Sequence, residues 1–301
     1  MQRKSFDIIG AELGWGAQNH LAQLGSSALK AFGIEKALSL IHPELIWRKT
    51  ISATRPYEPG MTLNYAERLQ QVHSFNVALA SEVRESLLSG HCPLVVGGDH
   101  AMAVGTWSGA VTALAAERSF GLIWIDAHMD SHTPQTTPSQ AIHGMPLAAL
   151  MGHGESALTH LAGTSPILDP RHVVLIGVRS FEVGEAELLK RLNVTVYHMS
   201  EVKKLGIKTV FEKALQQVTN GTKAFGVSVD LDGFDPSDAP GTGTPEPDGL
   251  PAMEVLQALK TVCHHPLFRA LEIAELNPTK DVDNKTLTLA QKILESVVTD
   301  E

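Results

Sequence analysis

Short apolar runs recur along this 301-residue chain, at positions 6–10, 45–51, 93–96, 121–125, 172–176, 194–197, 224–229 and 270–274. Most are continuous rather than alternating, as strands covered on both faces are. Between them lie stretches of helical character, at 63–88, 101–118, 185–191, 208–218, 252–263 and 287–298. Strands that alternate with helices predict an α/β fold: a mostly parallel sheet with helices on both faces. Ligands in such folds sit beyond the carboxyl ends of the strands. The chemically loaded residues fall there: Asp99 and His100, Asp126 to Asp130, Arg179, Asp230 to Asp235, and Glu275.

Composition narrows the picture. With 43% hydrophobic residues and no linker-like or low-complexity tract, the chain reads as one domain over residues 1–301. The formal charge is −9, with Lys and Arg scattered rather than striped, which argues against a nucleic-acid partner. A modest negative potential suits a small cationic substrate. No signal-peptide core and no membrane-length apolar run is visible, so a cytoplasmic protein without membrane contact is expected. Cys92 and Cys263 are too few for a disulfide framework and read as buried thiols of a reducing compartment.

Two acidic runs carry the chemistry. Asp126-Ala127-His128-Met129-Asp130 and Asp230-Leu231-Asp232 each follow an apolar strand, and His100 ends Gly97-Gly98-Asp99-His100. Alternate residues of an extended segment share a side, so each run can converge on one point. Singly, an Asp after a strand is often a turn or a helix cap. Four carboxylates and two imidazoles at three strand ends make a metal site the stronger reading. Oxygen with some nitrogen suits a divalent ion such as Mn²⁺. Four negative charges balance two divalent ions, a pair able to generate a nucleophilic hydroxide at neutral pH.

These blocks, with Ser228-Val229-Asp230-Leu231-Asp232 and the stretch from Asp235-Pro236 to Gly241-Thr242-Gly243-Thr244-Pro245, resemble the arginase/agmatinase (ureohydrolase) family over nearly the whole chain. The resemblance implies a three-layer α/β/α sandwich with a mostly parallel, eight-stranded sheet. It implies a binuclear manganese site that hydrolyses a guanidino group to urea and an amine. By motif position, one ion falls to His100, Asp126, Asp130 and Asp232, and the other to His128, Asp126, Asp230 and Asp232. Asp130 is counted as catalytic too. Trimers or hexamers are the oligomers it implies.

A guanidinium carbon is a poor electrophile, so metal-generated hydroxide is the expected nucleophile, and the leaving amine needs a general acid near neutral pH. His143, in Ile142-His143-Gly144-Met145-Pro146, matches the family's proton-shuttling histidine. Its alternative is a cap on the following helix. Glu275, in Glu275-Leu276-Asn277-Pro278, matches the glutamate that holds the guanidinium. Glu272 lies three residues earlier and in a regular strand would face away. A surface salt bridge is the alternative for either glutamate.

The expected substrate is L-arginine, cleaved to L-ornithine and urea. Thr137 and Ser139 stand where hydroxyls would bind its carboxylate. Three departures bear on that expectation: His132 replaces the usual Asn, Gln140-Ala141 replaces Gly-Asn, and Glu182 stands where an Asp holds the α-amino group. His132 and Glu182 remain in the expected substrate-binding set, with Glu275. The alternatives are another substrate of this class (agmatine, guanidinobutyrate or formiminoglutamate) and a non-catalytic regulatory homologue.

Overall fold

The computed structural model describes residues 4–114 and 120–299. Its eight strands are β1 Ser5–Glu12, β2 Ile46–Ser52, β3 His91–Val96, β4 Phe120–Ile125, β5 Val173–Val178, β6 Thr195–His198, β7 Ala224–Asp230 and β8 Phe268–Ala274. All pair in parallel in one sheet of order β2-β1-β3-β8-β7-β4-β5-β6. Each strand coincides with an apolar run to within two residues at either end.

Because strand residues alternate, every central strand feeds two cores. Ile8, Leu94, Leu271, Val227, Ile123 and Val174 form one registered row. That row packs with residues of the helices Gly25–Ala31, Ile34–Ile41, Ile207–Thr219, Ala252–Cys263 and Lys285–Val298. The opposite face packs with the helices Tyr65–Leu88 and Ala103–Ala113. The result is the expected α/β/α sandwich.

Helix boundaries follow local chemistry. The long helix starts at Tyr65 rather than 63 because Asn64 caps it: Asn64 Oδ1 accepts from Glu67 N at 3.0 Å, and Glu67 Oε2 accepts from Asn64 N at 2.9 Å. The helix expected over 101–118 opens as a 3₁₀ turn, His100–Met102, and continues as Ala103–Ala113; residues 115–118 lie outside the described residues. Five further helices have no counterpart in the sequence reading: Gly25–Ala31, Ile34–Ile41, Pro146–Leu150, Ser156–Thr159 and Met199–Leu205. None exceeds eight residues, too short for apolar periodicity to register.

Topology places the chemistry. The four central strands, β3, β8, β7 and β4, are adjacent; β7 ends at Asp230, and β3, β8 and β4 lead into His100, Glu275 and Asp126. Among the described residues no helix is long and apolar enough to cross a membrane.

Close packing beneath these strand ends leaves little room. A Cβ on Gly226 of β7 would lie 2.1 Å from the ring of Trp107, on the Ala103–Ala113 helix. Gly226→Ala is therefore expected to cost about 1–3 kcal/mol. Thermal unfolding checks this; an unchanged Tm would mean that the Trp107 ring can move freely.

Candidate metal centre

The two acidic runs fold alike. Asp126 Oδ1 accepts from His128 N at 2.7 Å, and Asp230 Oδ1 accepts from Asp232 N at 2.8 Å. Each aspartate thus spends one oxygen on a turn and aims the other at the same atom. Asp126 Oδ2 and Asp230 Oδ2 lie 3.3 and 3.0 Å from His100 Nδ1. Asp130 Oδ2, brought round by a left-handed backbone (φ +45°), lies 3.1 Å from it. Turn former and candidate ligand are the same residue. Asp99 is the contrast: one oxygen caps Ala101 N, and the other accepts from Gly16 N and Ala17 N. It has no oxygen to spare and is structural.

His128 forms a second group. Its Nδ1 is 3.5 Å from Asp126 Oδ1 and 3.3 Å from Asp232 Oδ2. This corrects the expected partition: Asp230, not Asp232, stands with His100. Asp230 ends β7 on the His100 side, whereas Asp232 belongs to the 3₁₀ turn Leu231–Gly233 that leads away from it. There Asp232 Oδ2 also accepts from Thr244 Oγ1 at 2.8 Å.

Electrostatics shows what the cluster lacks. Burial, with Asp126 nearby, pushes Asp130 up to about 6. Burial, with Asp232 and Asp126, pushes Asp230 well above the carboxylate range. Burial opposes the charged form of His100, yet the close carboxylates of Asp126, Asp130 and Asp230 hold it well above the usual imidazole value. Buried like charges of this kind call for cations. His100 Nδ1 is buried without a hydrogen-bond partner while three carboxylate oxygens surround it. The donors fit two divalent ions: His100, Asp126, Asp130 and Asp230 in one group, and Asp126, His128 and Asp232 in the other.

His143 and Glu275 meet beside the cluster. His143 Nδ1 is 2.9 Å from Glu275 Oε1, which also accepts from His100 N at 2.9 Å. Burial opposes the charge on His143, but Glu275 prevails and raises it to about 9. The ring therefore does not cap the following helix. Both glutamates are buried, so neither forms a surface salt bridge. Glu275 sits just past β8 with φ +61°, which resets the strand alternation. Parity counted from Glu275 thus fails for Glu272, whose Oε1 lies 3.7 Å from His100 Nε2. A cavity of about 150 Å³ opens on the cluster, lined by His128, Asp130, Asp230 and Asp232 together with His132, Ser139, His143 and Glu182. Thr137 and Glu275 are not among its lining residues.

The model of the arginase family matches residues 8–299. The chain belongs to the arginase family. It is 38% identical to an arginase of Bacillus caldovelox over 297 residues, covering 98% of each chain. It is 36% identical to an arginase of Brevibacillus brevis, covering 99% of each. The solved structure of the Bacillus caldovelox arginase superposes with a TM-score of 0.91 at 36% identity, over 99% of each chain. The chain is an arginase-type hydrolase.

On this arginase-family frame the departures at the cavity wall form one unit. His132 Nε2 lies 2.9 Å from Glu182 Oε2 and 3.3 Å from Glu185 Oε2, and His132 Nδ1 lies 3.1 Å from Thr136 Oγ1. Glu185 accepts from Ser131 N and Glu182 N, and burial pushes it up to about 8. Gln140 keeps a left-handed backbone (φ +55°), the conformation glycine favours, while Arg68 donates to its carbonyl.

Sequence reasoning missed several neighbours of the site. Glu185 was signalled only by its three-residue spacing from Glu182, the spacing of a capping box. Thr244 stood within the 241–245 stretch but was given no role of its own, and Glu246 had no pattern to mark it; Glu246 Oε1 lies 3.9 Å from His128 Nε2. Arg179 binds backbone carbonyls rather than the clustered carboxylates. Its guanidinium donates to the backbone carbonyls of Pro247, Gly177, Gly233, Asp232, Phe234 and Glu246, which ties down the loop after β7.

The His143–Glu275 pair predicts a pH signature. Unfolded histidine titrates near 6.5, and His143 in the fold near 9. The stabilisation is complete below about pH 6.5 and is lost as pH rises through about 9. In metal-free protein the Tm gap between wild type and His143→Ala should be widest near pH 6 and close above pH 9. A gap independent of pH would refute the pairing.

Proposed function

We propose that the chain is a manganese arginase, converting L-arginine and water to L-ornithine and urea. In this reading residues 1–301 are one catalytic domain, and His100, Asp126, His128, Asp130, Asp230 and Asp232 hold two Mn²⁺ ions. The observation that carries arginine as substrate is the bonding of Thr137 and Ser139. Each hydroxyl already accepts a backbone N–H, from Gln140 at 3.0 Å and from Ala141 at 3.2 Å. The two hydroxyls lie 3.5 Å apart, so even if one donates to the other a proton is left to offer an α-carboxylate. Ser139 lines the same cavity as the ligand group.

Bound there, two divalent ions supply the nucleophile by lowering the pKa of water towards 7. The rest is the work of side chains. Glu275 keeps one buried oxygen, Oε2, without a hydrogen-bond partner. A guanidinium, rich in N–H donors, satisfies that oxygen and is oriented by it. His143 is held protonated at neutral pH by Glu275 and passes its proton to the departing amine. Asp130, whose charge also raises His143, acts both as ligand and in this proton transfer. Trimers or hexamers and a cytoplasmic location belong to the same reading and rest on the family likeness; the two cysteines are free and buried, in keeping with a reducing compartment.

One observation favours a second substrate. The cavity wall carries the carboxylates of Glu182 and Glu185 beside His132. That suits an amine without a carboxylate, as in agmatine. Urea release with Mn²⁺ should show kcat/KM for L-arginine at least about tenfold above agmatine and guanidinobutyrate, a difference of about 1.4 kcal/mol. A preference for agmatine would instead assign the wall to amine recognition, and no urea from any of them would mean a non-catalytic homologue.

Asp126→Asn and Asp232→Asn should each lower activity and Mn²⁺ affinity, on the order of 100-fold or more. Near-normal turnover in either variant would overturn the two-ion assignment. His143→Ala should lower kcat with both metals retained, as elemental analysis of the purified variant would report.

A further inference from the structure

Beneath the metal centre runs a row of residues in register across the sheet: Ile9, Val95, Glu272, Ser228, Trp124 and Leu175. All six are fully buried. Four are apolar, as the interior of a covered parallel sheet requires. The two polar members, Ser228 and Glu272, are neighbours on β7 and β8 and sit directly beside His100.

Their hydrogen bonds run in one direction. Glu272 Oε1 accepts the Ser228 hydroxyl proton at 2.7 Å, and Ser228 Oγ lies 2.9 Å from His100 Nε2. A hydroxyl carries one proton. Having given it to Glu272, Ser228 can only accept from His100, so Nε2 bears the imidazole proton. Glu272 Oε1 remains an acceptor whether the carboxyl is ionised or carries its proton on Oε2. On the far side, Trp124 fixes the ring plane: its ring stacks on His100 with centroids 4.1 Å apart and planes 15° apart, while its Nε1 donates to Asp126 Oδ2 at 2.8 Å.

We propose that Glu272 is a positioning residue of the metal centre: through Ser228 it locks His100 in the tautomer whose Nδ1 lone pair faces Asp126, Asp130 and Asp230. The inference rests on the reading of that group as a metal site. A histidine ligand needs an acceptor on its outer nitrogen, and such partners change metal affinity 10–100-fold. Here the acceptor is a serine, whose own proton could point either way. The buried carboxylate behind it removes the ambiguity.

Glu272→Gln is the decisive variant. Its shape is retained, but the amide can donate to Ser228, which turns the serine proton towards His100 Nε2 and transfers the imidazole proton to Nδ1. Two readouts apply. In metal-free protein labelled with ¹⁵N-histidine, at a pH high enough to leave the His100 ring neutral, NMR should find the single ring proton at Nε2 in the wild type and at Nδ1 in the variant. In Mn²⁺ titrations the variant should lose about 10–100-fold in affinity at one of two sites, with the other unchanged. Glu272→Asp, which keeps an acceptor, should recover much of the loss. Should Glu272→Gln not fold, Ser228→Ala interrupts the same chain and should show the same one-site loss.

A neutral wild-type His100 ring carrying its proton at Nδ1, or full Mn²⁺ affinity in folded Glu272→Gln, would overturn the proposal. A wild type that binds no Mn²⁺ would overturn the metal reading instead, while the NMR tautomer still tests the Glu272–Ser228–His100 chain.

Discussion

Everything at this site follows from gathering like charge in a dry place. Asp126, Asp130, Asp230 and Asp232 are buried at the carboxyl ends of adjacent parallel strands, and Glu275 and Glu272 lie behind them. No set of hydrogen bonds within the protein neutralises so many carboxylates, and the raised values of Asp130 and Asp230 express that strain. The fold tolerates the arrangement because backbone amides are spent where they count. Asp126, Asp230 and Asp99 each accept from the amide two residues on, which fixes the carboxylate before any cation arrives. Preorganisation of this kind separates a ligand set from a chance cluster of acids.

The sheet supplies the remaining constraint. In a parallel sheet all strands deliver their carboxyl ends to the same edge, so residues far apart in sequence meet without long loops. His100 and Glu275 are 175 positions apart, yet the backbone N–H of one meets the carboxylate of the other at 2.9 Å. Arg179 closes this edge by binding carbonyls rather than carboxylates, and so holds the loop with Thr244 and Glu246 against the cluster. A lysine could not span those acceptors, for it lacks the planar fork.

Much of this was legible in the chain. Continuous apolar runs locate all eight strands because burial on both faces leaves no polar positions to confuse the pattern. The ligand residues are legible for a related reason: charge directly after such a run has no structural excuse when it recurs three times. What escaped was governed by backbone geometry. The left-handed turn at Glu275 defeats the parity argument that set Glu272 aside, and the 3₁₀ turn after β7 decides that Asp230 rather than Asp232 faces His100. Glu185 escaped because its spacing from Glu182 signals a helix start equally well, and it serves as that too.

Glu275 joins these strands of argument. Its Oε1 takes two donors, His143 Nδ1 and the amide of His100, so one carboxylate oxygen ties the proposed general acid to the proposed metal ligand. Its Oε2 takes none. An unpartnered buried carboxylate oxygen is costly unless something outside the protein completes it. A guanidinium does so with N–H groups that carry positive charge, and it arrives at the residue that keeps His143 protonated. In the proposed reading, substrate binding would weaken the hold of Glu275 on the His143 proton, since the carboxylate would then share its charge between two cations. The proton becomes easier to release at the point where the leaving amine needs it.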